Sequence, residues 1–271
     1  MLELIQYQFF QNALIGGILI SLIASILWVF VIMRKEANIT HSISNFLFLG
    51  IAISLLLHWN YYVFAFLFSI IWSSLIFIID KTWFITKEST REIISQVWLA
   101  FGIFAISFLD SLSLDIFNLL FGSILFINYT DIIILTSLLV LFSLFLFFFG
   151  RNFLSVIINE DIAKINWINV PYYNFFFLIF LSFFIAIWIK IFWILLIGVF
   201  LIIPVNIAKI LSPSLKWIFI ISVISSVLSV ILGLFFSYFV WASSSGSIVI
   251  FLVLFLFLSI IWNKYNYLLN K

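Results

Sequence analysis

A histidine and an asparagine lie four residues apart near the start of an apolar stretch, at His41 and Asn45. In a helix this spacing places both side chains on one face, about one turn apart. Polar side chains are costly inside a membrane and commonly serve a function there, so this pair is a candidate site. The alternative is that His41 lies at the membrane boundary, where water hydrates the imidazole.

The remaining residues capable of chemistry do not form a catalytic group. His58, the second of the two histidines, is next to Trp59 and Asn60 and is interpreted as interfacial. The sequence has no His-Glu-x-x-His motif, no carboxylate pair within an apolar segment and no Ser-His-Asp arrangement. A membrane-bound enzyme, such as a lipid-modifying transferase, would need ionisable residues clustered at one depth. The chain is therefore predicted not to be an enzyme.

A further polar segment covers residues 151–169. Asn159 can accept hydrogen bonds from the first backbone N–H groups of a short helix. Glu160 and Asp161 would then lie in the first turn, where the helix dipole favours acidic side chains. The segment is predicted to contain a short amphipathic helix, which could equally be a spacer or a docking element.

The composition assigns these residues to a membrane protein. Of 271 residues 66% are hydrophobic and 8% are charged, whereas a soluble domain has about 25% charged residues. A soluble fold of this size could not cover so much apolar surface with polar groups. The absence of cysteine excludes disulfides and thiolate metal ligands. A net charge of +2 argues against nucleic acid as a partner.

The apolar segments predict an all-α, polytopic helical bundle with eight or nine membrane spans, forming a single domain over residues 1–271. Residues 172–203 would be about 48 Å long as one helix, so two short helices are predicted with a turn near Lys190. Residues 116–127 are apolar but short and predict a re-entrant or interfacial segment. The predicted spans are residues 12–33, 42–58, 60–79, 93–109, 131–149, 172–189, 191–204, 217–240 and 247–262.

Charge placement predicts the orientation of the chain in the cell membrane. Eleven of the twelve lysine and arginine residues fall on one side of this layout, and Lys190 is the exception. The positive-inside rule makes that side cytoplasmic, with the N-terminus outside and the C-terminus inside. The sequence has no Gly-x-x-x-x-Gly-Lys-Ser/Thr loop, so any ATP hydrolysis would take place on a separate protein.

Five short stretches of the sequence occur in an order and at separations that match one transporter family. They are Gln11–Ile15 with Arg34; Thr40–Asn45 with Gly50–Ser54; Asp115 with Leu120–Leu125; Asp161 with Ala163; and Leu201–Pro204 with Ser237–Tyr238 and Ile248–Ile250. Over about residues 9–262 the chain resembles the permease subunits of the zinc- and manganese-uptake ABC importers.

The resemblance implies an ABC importer permease fold and a homodimer with the ion pathway along its axis. It also implies two cytosolic ABC ATPase subunits and an extracytoplasmic metal-binding protein that delivers the ion. The inside loop, about residues 150–170, would couple the permease to the ATPase through a helix at residues 155–166. The metal ion would be the transported substrate, and no permanently bound cofactor is expected. The coupling residues implied are Asn159, Glu160, Asp161, Ile162 and Ala163.

The candidate pair departs from the family pattern. His41 stands where the family has Asp, and Asn45 where it has His, in the metal-handling pair of the pathway. Imidazole is a good ligand for zinc, manganese or iron, whereas a neutral amide oxygen is a poor one. The altered pair also lacks the negative charge that attracts a dication.

The resemblance therefore implies the membrane-spanning subunit of an importer for a divalent transition metal, zinc or manganese first and iron next. His41 and Asn45 are the candidate metal-handling residues. Three interpretations of the altered pair stay open: a different ion, weak binding with selectivity left to the binding protein, or lost metal transport. An ABC permease of the same fold for a small organic or chelated solute is the alternative, and the missing carboxylate favours it.

Overall fold

The computed structural model describes residues 6–36, 38–82, 87–108, 124–191 and 196–269. Over these residues the chain forms ten α-helices and one short 3-10 turn at Ile124–Phe126, with no strand. The helices are α1 (Gln8–Met33), α2 (Asn38–Leu56), α3 (Tyr61–Thr82), α4 (Lys87–Ile106), α5 (Tyr129–Ile158), α6 (Glu160–Ile165), α7 (Val170–Ile191), α8 (Leu196–Leu211), α9 (Leu215–Val240) and α10 (Ser244–Leu269).

Each predicted span overlaps a described helix, and the prediction of an all-helical membrane bundle is confirmed. Seven of the described helices are long and apolar enough to cross a bilayer. The two other long helices fall short of these criteria for different reasons. Helix α4 has four charged residues among its first six, and the structure describes 16 residues of α8.

The boundaries differ from the predictions in the polar segments. Helix α5 is 30 residues long, about 45 Å, and continues nine residues beyond the predicted end at 149. Residues 155–158 therefore belong to α5, and the prediction of one coupling helix over 155–166 is wrong. Within 172–203, α7 is described to Ile191, one residue beyond Lys190, and α8 from Leu196. The turn predicted near Lys190 stays a prediction, because residues 192–195 lie outside the described residues. Residues 116–123 of the predicted re-entrant segment lie outside the described residues.

The helices group into two compact units, and the first contains α1, the start of α5, α8, α9 and α10. In this unit α9 contacts α1, α8 and α10. A Cβ atom added at Gly233 of α9 would lie 2.6 Å from Cα of Ile248 on α10. Two turns earlier on α9, the hydroxyl groups of Ser25 and Ser226 are 2.8 Å apart. Small residues thus let α9 approach both neighbours closely, as is common in membrane helices.

The second unit contains α2, α3, α4, most of α5, α6 and α7. Helix α2 packs against both α3 and α4. The ring of Phe46 on α2 stacks on Trp72 of α3 at a centroid distance of 4.5 Å and meets Trp98 of α4 edge to face at 5.3 Å. This aromatic contact fixes how α2 and α4 lie against each other, and so positions the polar residues at their ends. The prediction of a single domain over residues 1–271 stays a prediction.

Candidate functional site

The first two turns of α2 and α4 bring together a histidine and a glutamate. His41 Nε2 lies 3.7 Å from Glu92 Oε1. Of the two side chains, 60% of His41 and 38% of Glu92 is exposed, so both remain accessible to water. The sequence assigned no role to Glu92, although a carboxylate beside an imidazole is a common arrangement of metal ligands.

Two neighbouring side chains hold the Glu92 carboxylate in place. The hydroxyl of Ser42 donates to Glu92 Oε2 at 3.1 Å, and Gln96 Nε2 donates to Oε1 at 2.9 Å. Ser42 follows His41 on α2, and Gln96 lies one turn after Glu92 on α4. The carboxylate is therefore oriented from both helices, with one oxygen directed toward the imidazole. We call His41, Ser42, Glu92 and Gln96 the α2–α4 cluster.

The second member of the predicted pair lies in a different environment. Asn45 is buried, with 3% of its surface exposed, whereas His41 is largely exposed. Within the described chain, Asn45 Nδ2 is buried without a hydrogen-bond partner. Helical spacing correctly places the two residues one turn apart, but it does not predict that they differ in burial.

An ion pair lies beside the α2–α4 cluster. Arg91 Nη1 is 3.7 Å from Glu36 Oε1, and only 6% of the Arg91 side chain is exposed. Glu36 therefore compensates the positive charge that immediately precedes Glu92 in the chain. The cluster keeps one carboxylate, on Glu92, that can interact with a cation.

The described residues contain no group of three or more His, Cys, Asp or Glu side chains that could hold a metal ion. The pair of His41 and Glu92 offers two ligands, and any further ligands would come from water or from neutral oxygen atoms. A cavity of about 690 Å³ between α8, α9 and α10 offers no alternative. Its lining includes Ile221, Phe255 and Trp262 and no charged side chain, so it has no strong ligand for a dication.

Helix α6 begins as the sequence predicts. Asn159 Oδ1 accepts hydrogen bonds from the backbone N–H groups of Asp161 at 2.9 Å and Ile162 at 3.2 Å. This cap satisfies two of the N–H groups that lack a partner within the helix. Lys164 Nζ donates to Asp161 Oδ1 at 3.2 Å, and Asn174 Nδ2 donates to Glu160 Oε1 at 3.2 Å. The prediction of a capped short helix is confirmed.

The end of α6 is also tightly defined. The N–H of Ile168 donates to the carbonyl of Ala163 and the N–H of Trp167 to that of Lys164, each at 3.0 Å. These two bonds form a Schellman motif, which requires a left-handed residue, here Trp167 with φ of 58°. Glycine is the common residue at this position because a side chain is disfavoured there.

Three large apolar side chains on and just after α6 are exposed. The exposed fractions are 54% for Ile162, 75% for Ile165 and 95% for Trp167, whereas Ala163 is completely buried. We call Ile162, Ile165 and Trp167 the α6 surface. Ala163 anchors α6 to its own unit, and the α6 surface remains available for contact with another protein.

These features define a multi-pass membrane protein without a nucleotide-binding loop of its own. Residues 6–263 match the model of the ABC 3 transport family. The chain belongs to that family.

Curated relatives and a solved structure extend this likeness over most of the chain. The manganese transport system membrane protein MntC of Listeria monocytogenes is 26% identical over 261 residues, or 94% of this chain and 92% of that protein. The high-affinity zinc uptake system membrane protein ZnuB of Haemophilus influenzae is 30% identical over 172 residues; this match covers 62% of this chain and 64% of ZnuB.

The structural likeness is equally extensive. A chain of PsaBC from Streptococcus pneumoniae, solved in complex with Fab, superimposes with a TM-score of 0.83 at 28% identity. The match covers 94% of this chain and 92% of that chain. The helical bundle is therefore the fold of a protein from this transport family, as the sequence predicts.

Proposed function

We propose that this chain is the membrane-spanning permease subunit of an ABC importer for a divalent transition metal, zinc or manganese first and iron next. The observation that carries the proposal is the likeness, over 94% of the chain, to a protein named for manganese transport. The match to a relative named for zinc uptake supports the same class of substrate.

In this proposal the permease works as a homodimer with two cytosolic ATPase subunits and an extracytoplasmic metal-binding protein. The N-terminus lies outside and the C-terminus in the cytoplasm, as the distribution of lysine and arginine predicts. ATP hydrolysis on the partner alternates which side of the pathway is open, and the ion is released inward. The metal-handling residues predicted from the sequence are His41 and Asn45, and of these the exposed His41 can reach an ion.

We further propose that α6 is the contact with the ATPase. The coupling residues implied by the sequence resemblance are Asn159, Glu160, Asp161, Ile162 and Ala163. The support is physical: both ends of α6 are fixed by hydrogen bonds, its polar side chains have partners on α6 itself or on α7, and its large apolar side chains are exposed. A short helix that is rigid without a partner can transmit a displacement to the helices joined to it, here α5 and α7.

Uptake of radiolabelled zinc, manganese and iron tests the function. Metal-starved cells would express this chain with its ATPase and binding protein, beside cells in which the ATPase cannot hydrolyse ATP. The expected result is uptake of at least one ion that requires hydrolysis. If the complex assembles and imports none of the three, the metal proposal is wrong. Uptake of a small organic or chelated solute by the same complex would then support the alternative function.

A further inference from the structure

We propose that His41 and Glu92 together bind the transported dication near the N-terminal ends of α2 and α4. Glu92 supplies the carboxylate that the His41/Asn45 pair lacks. The proposal rests on the proposed function, because it assumes that a divalent metal passes this chain. It adds a residue from a second helix to the pathway. It also assigns Ser42 and Gln96 as residues that position the Glu92 carboxylate.

The geometry of the pair fits a metal ion. Zinc lies about 2.0–2.2 Å from imidazole nitrogen and carboxylate oxygen, so tetrahedral binding places the two ligand atoms roughly 3.4 Å apart. His41 Nε2 and Glu92 Oε1 are 3.7 Å apart. A small rotation of either side chain closes this difference, and both are exposed enough to make it.

The Glu92 carboxylate supplies a negative charge at the same position. The Glu92 carboxylate is only partly exposed, so its negative charge is less screened than at the open surface. The nearest positive charge along the chain, on Arg91, is paired with Glu36. The hydrogen bonds from Ser42 and Gln96 orient the carboxylate, as residues around a metal site commonly orient its ligands.

A site with two protein ligands suits an ion in transit. Transport requires binding that is favourable enough for entry and weak enough for release. Water completes the coordination, and the exposure of both side chains lets water reach the ion. A site that enclosed the ion with three or four strong ligands would hold it too long.

The simpler interpretation is that His41 and Glu92 merely join α2 to α4. A partly exposed pair at 3.7 Å contributes little to stability, and the aromatic contact of Phe46 with Trp98 already joins these helices. The two interpretations differ in a measurable way, because a structural contact has no affinity for metal.

Binding of Mn²⁺ to the purified chain in nanodiscs, measured by titration calorimetry, separates them. We expect His41→Ala and Glu92→Gln each to weaken Mn²⁺ binding at least ~10-fold, since changes around a metal site alone cost about 10–100-fold. Glu92→Asp, which retains the charge, should bind more tightly than Glu92→Gln. The matched control is His58→Asn, which should bind as the unaltered chain does.

Electron paramagnetic resonance of Mn²⁺ bound to the unaltered chain supplies a readout that does not depend on the folding of a variant. Nitrogen coupling from an imidazole should be present in the unaltered chain and absent in His41→Ala. Equal affinity in Glu92→Gln and the unaltered chain, or no nitrogen coupling, would overturn the site. If the unaltered complex imports metal while Glu92→Gln imports it equally fast, the site is wrong and the transport function stands. If the unaltered complex neither binds nor imports metal, the proposed function fails as well.

Discussion

Helix α6 and the α2–α4 cluster are two polar regions of the same unit, and their polar groups are arranged in opposite ways. In α6 most polar side chains find partners within a few residues, as in the cap by Asn159 and the pair of Asp161 and Lys164, while Glu160 bonds to Asn174 of α7. In the α2–α4 cluster the partners come from different helices, with Glu92 contacted by both His41 and Ser42.

The exposed groups differ as well. On α6 the charges of Asp161 and Lys164 are paired and the large exposed side chains are apolar, so a protein partner is the natural occupant. In the α2–α4 cluster the exposed groups are an imidazole and a carboxylate, which suit an ion. We therefore expect the partner contact on α6 and the ion contact at the α2–α4 cluster. Variants of either region should leave the function of the other intact.

The largest expected effect is on α6. The double variant Asp161→Lys/Ile162→Arg should abolish co-purification of the ATPase, because it reverses a charge and places a second one on the α6 surface. The reversal Lys216→Glu, at an exposed position of the other unit, is the matched control and should retain the ATPase. Mn²⁺ binding should be unchanged in both. Full association of the Asp161/Ile162 variant would show that α6 is not the contact.

The next effect concerns the α2–α4 cluster. Glu92→Gln and His41→Ala should each slow metal uptake at least ~10-fold at low ion concentration, and the double variant should be little worse than either. Residues that bind one ion act as a unit, so their effects are not additive. ATPase co-purification should be normal in all three. Fully additive effects would mean that the two residues act at separate places.

A third prediction concerns stability in the other unit. Gly233→Ala should destabilise the protein by about 1–3 kcal/mol, because the new methyl group overlaps the backbone of Ile248. Gly150→Ala is the matched control: nothing lies closer than 3.9 Å to its new Cβ, and alanine is the better helix former. Thermal unfolding in detergent should rank Gly233→Ala below the unaltered chain and Gly150→Ala equal to it or above. The reverse order would contradict the close packing of α9 on α10.

The smallest effect is expected at the cap of α6. Asn159→Ala should destabilise α6 by about 0.5–2 kcal/mol and weaken ATPase binding several-fold without abolishing it. Asn159→Asp can accept the same two hydrogen bonds and should restore binding. Affinity measured by surface plasmon resonance distinguishes the three chains. If Asn159→Ala binds as tightly as the unaltered chain, a preformed α6 is not needed for the contact.

The start of α6 could be predicted because its causes are local. Asn159, Glu160 and Asp161 are consecutive, and the rules for helix caps and dipoles apply within one turn. The helix boundaries around it were less predictable. Helix α5 continues through Gly150, Arg151 and Asn152, since a drop in hydrophobicity marks the edge of the membrane and does not end a helix.

Glu92 could not be predicted because its contact is not local. His41 and Glu92 are separated by 50 residues, and only the packing of α2 on α4 brings them together. The sequence did contain a signal for this contact. The predicted second and fourth spans both begin on the side predicted to be cytoplasmic, the second just after His41 and the fourth just after Glu92. The burial of Asn45 could not be predicted either, because helical periodicity shows which residues share a face of the helix and not what packs against that face.

Metal accumulation in proteoliposomes tests the central claim most directly. The vesicles would contain only this chain and its ATPase, with the binding protein outside and ATP inside. We predict ATP-dependent accumulation of zinc, manganese or iron, reduced at least ~10-fold by Glu92→Gln and unaffected by His58→Asn. Accumulation of none of these ions by an assembled, ATP-hydrolysing complex would contradict metal import.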